Sequence, residues 1–242
     1  MARRLLQANG MTTNPTRNKA PQTITRAPRR HGWLARALFF TMDALYGRQL
    51  TLKKLQVLEL VARVPYQAWE GVAYVALTHA HHRFRSARRI FEYVREARAA
   101  QDNEQWHLLI VDELLSKSGE RTSWLLGRAI PQLLALVYYH VSWLLYVLNP
   151  RWSYALNADF EDHAEVSYLA FVAGHPELES QPWISIFAED YGAHATLAAL
   201  FRQIARDEAE HRDESLRRMT CARFHTSPEP NDHVAVTSEP LR

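Results

Sequence analysis

One cysteine, Cys221, stands in the whole chain. That excludes an internal disulfide framework and Cys-ligated iron–sulfur clusters. Glycine is also scarce, at 8 of 242 residues, and no Val/Ile/Thr-rich alternating segment occurs, while Leu, Ala and Arg abound. Those absences leave little material for a sheet and predict an all-α protein. Acid is missing from residues 1–31, which carry seven Lys/Arg with Pro and Thr but little apolar content. This stretch reads as a basic disordered tail suited to transit, to anionic-lipid contact or to solubility. It holds no apolar run suited to a secretory signal, and nothing beyond its charge favours a nucleic-acid partner. Residues 221–242 turn polar and Pro-containing and read as a second loose tail. The stretch between, 32–220, is long enough for one sizeable helical core and short for two.

Six main helices are predicted there, over roughly 33–46, 51–80, 84–117, 129–148, 152–173 and 194–219, with Pro65 kinking or opening the second. Gly174-His175-Pro176 and Gln181-Pro182 mark a loop with one short helix before the last.

Two of these helices repeat one arrangement. Glu104-Gln105-Trp106-His107 and Glu208-Ala209-Glu210-His211 are each Glu-x-x-His, and no other His has Glu three positions earlier. Residues at i and i+3 share a helix face, so each pair can aim a carboxylate and an imidazole at one point. Two such helices, plus one Glu from each of two more, make the ligand set of a di-iron carboxylate centre in a ferritin-like four-helix bundle. Glu59 and Glu161 are the lone candidates. Glu208 and His211 continue the apolar stripe Leu197, Phe201, Ile204; Glu104 and His107 share a face with Leu108, Val111 and Leu115; Glu59 follows Leu52 and Leu55; and Glu161 lies among Ala158, Ala164 and Tyr168. Carboxylates on a core-facing stripe are costly to desolvate unless paired or bound to a cation. Two iron ions would share that cost among Glu59, Glu104, His107, Glu161, Glu208 and His211. Asn103 and Asp207, each just before a candidate Glu, are placed to hydrogen-bond the ligands.

At these residues the chain resembles the alternative oxidases, the cyanide-insensitive quinol oxidases. The likeness covers most of 33–219 in four blocks: Leu58 to Pro65, Asn103 to Leu108, Phe160 to Tyr168, and Arg206 to Asp213. The third block keeps the family's ligand as Glu161, with Asp162 and His163 in place of two further Glu. Lys54 stands where the family has Arg near its quinol pocket, which keeps the charge but loses the planar fork of donors. The resemblance implies a membrane-bound ubiquinol oxidase that reduces O2 to water without pumping protons. It also implies a redox role for Tyr168, a quinol pocket touching Lys54, Leu58, Phe160 and Ser167, and a homodimer. The expected location is the cytoplasmic face of a bacterial inner membrane, or else the matrix face of the mitochondrial one. Two alternatives stay open: another di-iron monooxygenase, hydroxylase or desaturase, and a non-enzymatic ferritin-like bundle.

The helix predicted over 129–148 is long and apolar enough to span a bilayer by length. A single crossing would leave Glu59 and Glu104 on one side and Glu161 and Glu208 on the other, so no shared metal site could form. It is therefore expected in the membrane interface beside the short amphipathic helix 33–46, with lipid as a partner. His79, His81 and His82, followed by Arg83, Arg85, Arg88 and Arg89, lack an acidic or Cys partner at ligand spacing and read as a cationic helix end.

Overall fold

The computed structural model describes residues 29–119, 123–221 and 223–224; most of both expected tails, 1–28 and 225–242, lies outside the described residues. The described residues form eight α-helices and no strand: α1 Trp33–Tyr46, α2 Leu52–Ala62, α3 Val64–Ala80, α4 Phe84–Ser118, α5 Ile130–Leu148, α6 Pro150–Gly174, α7 Ala188–Tyr191 and α8 Leu197–Arg218. A π-helical turn, Leu125–Ala129, runs directly into α5.

Local chemistry sets most of these boundaries. Thr51 caps α2 by accepting from Lys54 N, Thr196 caps α8 by accepting from Ala199 N, and Asn149 caps α6 ahead of Pro150. Gly119, at φ 71°, closes α4 in the left-handed region open to glycine. The predicted helix 51–80 is two helices. Pro65 supplies no N–H and crowds the carbonyl four residues back, so the chain breaks at Arg63 and restarts as α3. The loop before α8 holds a 3-10 turn, Pro176–Glu179, as well as α7.

Side-chain pairs give the register. Along α2–α3 against α4, Gln56 meets Asp112, Arg63 meets Gln105 and Glu70 meets Arg98, so the two run antiparallel. Phe171 against Phe201 and Asn157 against Ser215 make α6 and α8 antiparallel, and these two helices pack most extensively of all. The result is a four-helix bundle of α2, α4, α6 and α8. Its core of Leu55, Leu58, Val61, Ile110, Phe160, Phe201 and Ile204 excludes water from the centre.

α5 packs on α3 and α6, and α1 on α2 and α6. The end of α1 is joined to the π turn that leads into α5, where the Tyr46 hydroxyl donates to Leu126 O at 3.0 Å. Arg29 and the Gly32 N–H both bind Asp159 at 2.6 Å, which fastens the start of α1 to α6. α5 and its π turn form a 24-residue apolar stretch, Leu125–Leu148, little of it buried. Leu133, Leu136, Val137, Leu144 and Leu148 on α5 are exposed, as are Trp33 and Phe40 on α1.

Candidate metal centre

Six side chains that the sequence singles out meet at mid-bundle. Glu59 comes from α2, Glu104 and His107 from α4, Glu161 from α6, and Glu208 and His211 from α8. They form two groups, Glu59–Glu104–His107–Glu208 and Glu104–Glu161–Glu208–His211, in each of which one donor atom per residue lies within 4.8 Å of the rest. Glu104 and Glu208 belong to both groups, so they are the side chains able to bridge two ions.

The antiparallel register makes the site nearly two-fold. Glu104 meets His211 Nδ1, and Glu208 lies 3.1 Å from His107 Nδ1. Tyr168 donates to Glu59, and Tyr66 donates to Glu161 at 2.8 Å. Each of these two Glu has a tyrosine seven residues further along the chain, Glu59 before Tyr66 and Glu161 before Tyr168, and each tyrosine bonds the other Glu. On antiparallel helices that spacing crosses the pairs over.

Burial is complete for Glu59, Glu104, His107, Glu161 and Glu208. One oxygen of each carboxylate (Oε2 of Glu59, Glu104, Glu161 and Glu208) has no hydrogen-bond partner. Such orphans are costly inside a protein and mark an acceptor waiting for a cation or proton. Burial and the neighbouring carboxylate of Glu104 push Glu161 up to about 8, and burial with three carboxylate neighbours raises Glu208 well above its ordinary value. Burial would raise Glu104 too, but the His211 and His107 imidazoles outweigh it and hold this carboxyl at about 2. His107 Nε2 lies 3.2 Å from Asp207 Oδ2. Burial would lower His107, but Tyr191, Asp207, Glu104 and Glu208 outweigh it and raise the imidazole well above its ordinary value, so without metal an Nδ1–H faces Glu208 and, at 3.5 Å, Glu59. With Nε2 donating to Asp207, loss of the Nδ1 proton would free that nitrogen for a metal ion. With metal in place of those protons, four carboxylates and two imidazoles would match the charge of two divalent ions and the oxygen-rich donor set of iron. The residues fit a di-iron group.

The neighbouring positions divide. Asp207 holds His107 and itself accepts from Tyr191 at 2.5 Å and Gln203 at 2.8 Å. Asn103, at the matching position on α4, makes no such bond, and its Oδ1 is buried without a partner. Asp162 and His163 point away from the cluster: Asp162 meets His31 Nε2 at 3.0 Å, and His163 stacks on Phe39 with ring centroids 4.0 Å apart. Burial, with Lys54 and His31 nearby, pushes His163 down to about 4 and keeps it neutral. Leu58, Phe160 and Ser167 are buried between α2 and α6 beneath α1, while Lys54 Nζ donates to Asp43 at 2.5 Å and Gly47 O at 2.8 Å. The His79–His82 cluster contributes to neither metal-competent group.

Tyr66, Asn157 and Tyr191 are contacts that sequence reasoning passed over. Asn157 precedes Glu161 by four residues and Tyr66 follows Glu59 by seven, spacings that put both on ligand-bearing faces. A lone Tyr or Asn on such a face is usually core packing, so the signal is weak until the helices are paired.

An antiparallel bundle carrying two Glu-x-x-His helices and two single-Glu helices around one buried point is the ferritin-like di-metal carboxylate class. Within that class, a sequence profile described as "Alternative oxidase" matches residues 16–218, and the chain belongs to this di-iron family. It is 34% identical over 151 residues to "Ubiquinol oxidase 4, chloroplastic/chromoplastic" of Arabidopsis thaliana, covering 62% of this chain and 40% of that protein. It is 27% identical over 188 residues to "Ubiquinol oxidase 1a, mitochondrial" of Oryza sativa subsp. japonica, covering 75% and 52%. The chain thus spans about half the length of the curated relatives it matches.

Proposed function

We propose that the protein is a membrane-bound quinol oxidase that reduces O2 to water at a di-iron centre. Glu59, Glu104, His107, Glu161, Glu208 and His211 hold the two ions, with Glu104 and Glu208 shared. The observation that carries this reading is the pair of overlapping, fully buried carboxylate–histidine groups with one orphan oxygen on each Glu. When bound, the irons would supply the electron storage and O2 affinity that no side chain offers.

The chain's own residues do the rest. The core around the cluster keeps water out, so charges there act at low dielectric. Asp207 fixes the His107 ring and Tyr191 fixes Asp207. Tyr168 donates to Glu59 across a buried hydrogen bond, where a phenolic proton and an electron can leave together. Ubiquinol or a related quinol is the substrate that the relatives' names suggest, reaching the Glu59 side through the region of Lys54, Leu58, Phe160 and Ser167. The exposed apolar faces of α1 and α5 form one slab suited to a single leaflet, with Arg36, Arg48 and Arg128 exposed for the headgroups. Absence of proton pumping follows if both substrates react on this one side. A homodimer, at the cytoplasmic face of a bacterial membrane, is the assembly we propose.

Quinol-driven O2 uptake by iron-loaded protein in vesicles, with cyanide present, tests the reading. Uptake that persists in cyanide and vanishes in Glu208→Ala supports it. Bound iron without quinol-driven uptake sinks it and moves the assignment to a di-iron oxygenase with another substrate.

A further inference from the structure

Tyr66 occupies the place on the Glu161 side that Tyr168 occupies on the Glu59 side. Its hydroxyl donates to Glu161 Oε1 at 2.8 Å, and Asn157 Nδ2 lies 3.1 Å from the phenolic oxygen and 3.0 Å from the same carboxylate oxygen. The amide occupies the lone-pair side of the phenol, so the phenolic hydrogen is held on the line to Glu161. The ring is buried, and its centroid lies 5.5 Å from that of His211.

Other tyrosines near the bundle lack this arrangement. Tyr93, Tyr146 and Tyr154 bond to one another at 2.9 to 3.2 Å, and the Arg218 guanidinium lies 4.8 Å from the Tyr93 ring centroid. These hydroxyls bond to one another, and a cation over the ring opposes removal of an electron. Tyr191 does donate to a carboxylate, but Asp207 already serves Gln203 and His107.

The Glu161 side is also the accessible side. The His211 side chain is 15% exposed, whereas His107, Glu59, Glu104 and Glu208 are at 0%. A cavity of about 310 Å³, open to solvent, is lined by His211, Tyr66, Trp69, Tyr93, Ala97 and Ala100. Three α4 alanines along its wall, Ala97, Ala99 and Ala100, carry only a methyl group each and leave room for it.

We propose that Tyr66 is a second oxidisable tyrosine of the centre, serving a hydroperoxide that enters from water through this cavity. The inference rests on the di-iron reading of the cluster. In the reaction the peroxide O–O bond breaks and accepts two electrons. Tyr66 and Tyr168 each lose one electron and one phenolic proton, the protons passing first to Glu161 and Glu59, and two waters form. One quinol then returns two electrons and two protons to the two phenoxyl radicals. The net change is quinol plus hydrogen peroxide to quinone plus two waters, a peroxidase activity beside the oxidase.

The test mixes iron-loaded, quinol-free protein with hydrogen peroxide, freezes it within a second, and reads the tyrosyl radical by electron paramagnetic resonance. Iron content is measured on the same samples. The parent protein is expected to give two overlapping radical signals; Tyr66→Phe and Tyr168→Phe each remove about half, with different hyperfine patterns, because each phenol gives one of the two electrons. The proposal is overturned by an unchanged signal in Tyr66→Phe, or by iron-loaded parent protein that forms no radical. It is also overturned if Tyr66→Phe loses iron in proportion to signal, since Tyr66 would then only position Glu161. Parent protein that binds no iron sinks the di-iron reading itself, and this proposal with it. Failure of quinol-driven O2 uptake alone leaves the radical readout intact, so the two failures are told apart.

Discussion

The two halves of the cluster carry the same donors and differ in what stands behind them. On the His107 side a chain of Asp207, Tyr191 and Gln203 locks the imidazole, and the ring is fully buried. On the His211 side the equivalent position is Asn103, whose oxygen is unpartnered, and the imidazole borders a cavity. Near-identical side chains are thus set in one fully enclosed, hydrogen-bonded half and one half that borders a cavity. A symmetric backbone does not make a symmetric site: one Asp-for-Asn difference and a few alanines decide which half of the cluster is enclosed and which borders the cavity.

The comparison breaks most completely at the shared carboxylates. Glu104→Ala is expected to abolish binding at both positions, because Glu104 belongs to both groups; a variant that keeps one ion by elemental analysis would refute the shared assignment. A narrower loss is expected from Glu59→Ala or Glu161→Ala, each of which belongs to a single group. Either should retain one ion, and simultaneous loss of both would show that the halves are not separable. Asp207→Ala should weaken metal binding about 10–100-fold through His107, since an outer partner orients the imidazole, while Asn103→Ala changes little. Equal effects from the two would erase the asymmetry.

Acidity sharpens the same contrast. Without metal, the folded protein holds a proton on Glu161 up to about pH 8, whereas the unfolded chain releases it near 4.5. The folded state binds more protons across that window, so metal-free stability falls as pH rises through it, and Glu208 and Glu59 act in the same direction. Thermal melts of chelated protein should show this fall, and iron-loaded protein should lack it, because the metal displaces the protons. A flat profile in chelator would contradict the assigned protonation. The smallest effect belongs to the lipid face. Leu136→Glu should cut vesicle binding about tenfold or more, from about 1.5–3 kcal/mol of lost burial, with little change in melting because Leu136 is 56% exposed in water. Unchanged vesicle binding would place the docking face elsewhere.

Much of this was legible before any coordinates. The Glu-x-x-His repeats and the apolar stripes around them point to one inward face per helix, and the structure joins all six predicted ligands. Pro65 signalled a break, although the chain parts at Arg63, because the ring of a proline disturbs the preceding turn. Other features could not be read. The sequence offers Lys54 as a charge near a quinol pocket, and only the fold shows that it also ties the end of α1 to α2 through Asp43 and Gly47. Tyr66 stands out in no sequence pattern, and only tertiary packing brings its hydroxyl on α3 to Glu161 on α6.

The sequence alone determined the helices, the ligand types and their spacing, because periodicity and i, i+3 geometry are local properties of a chain. Which carboxylates are shared, which imidazole is exposed and which tyrosines touch the centre were decided only by tertiary structure. Those depend on the rotation and register of helices far apart in the chain, and burial in their common core is what fixes both.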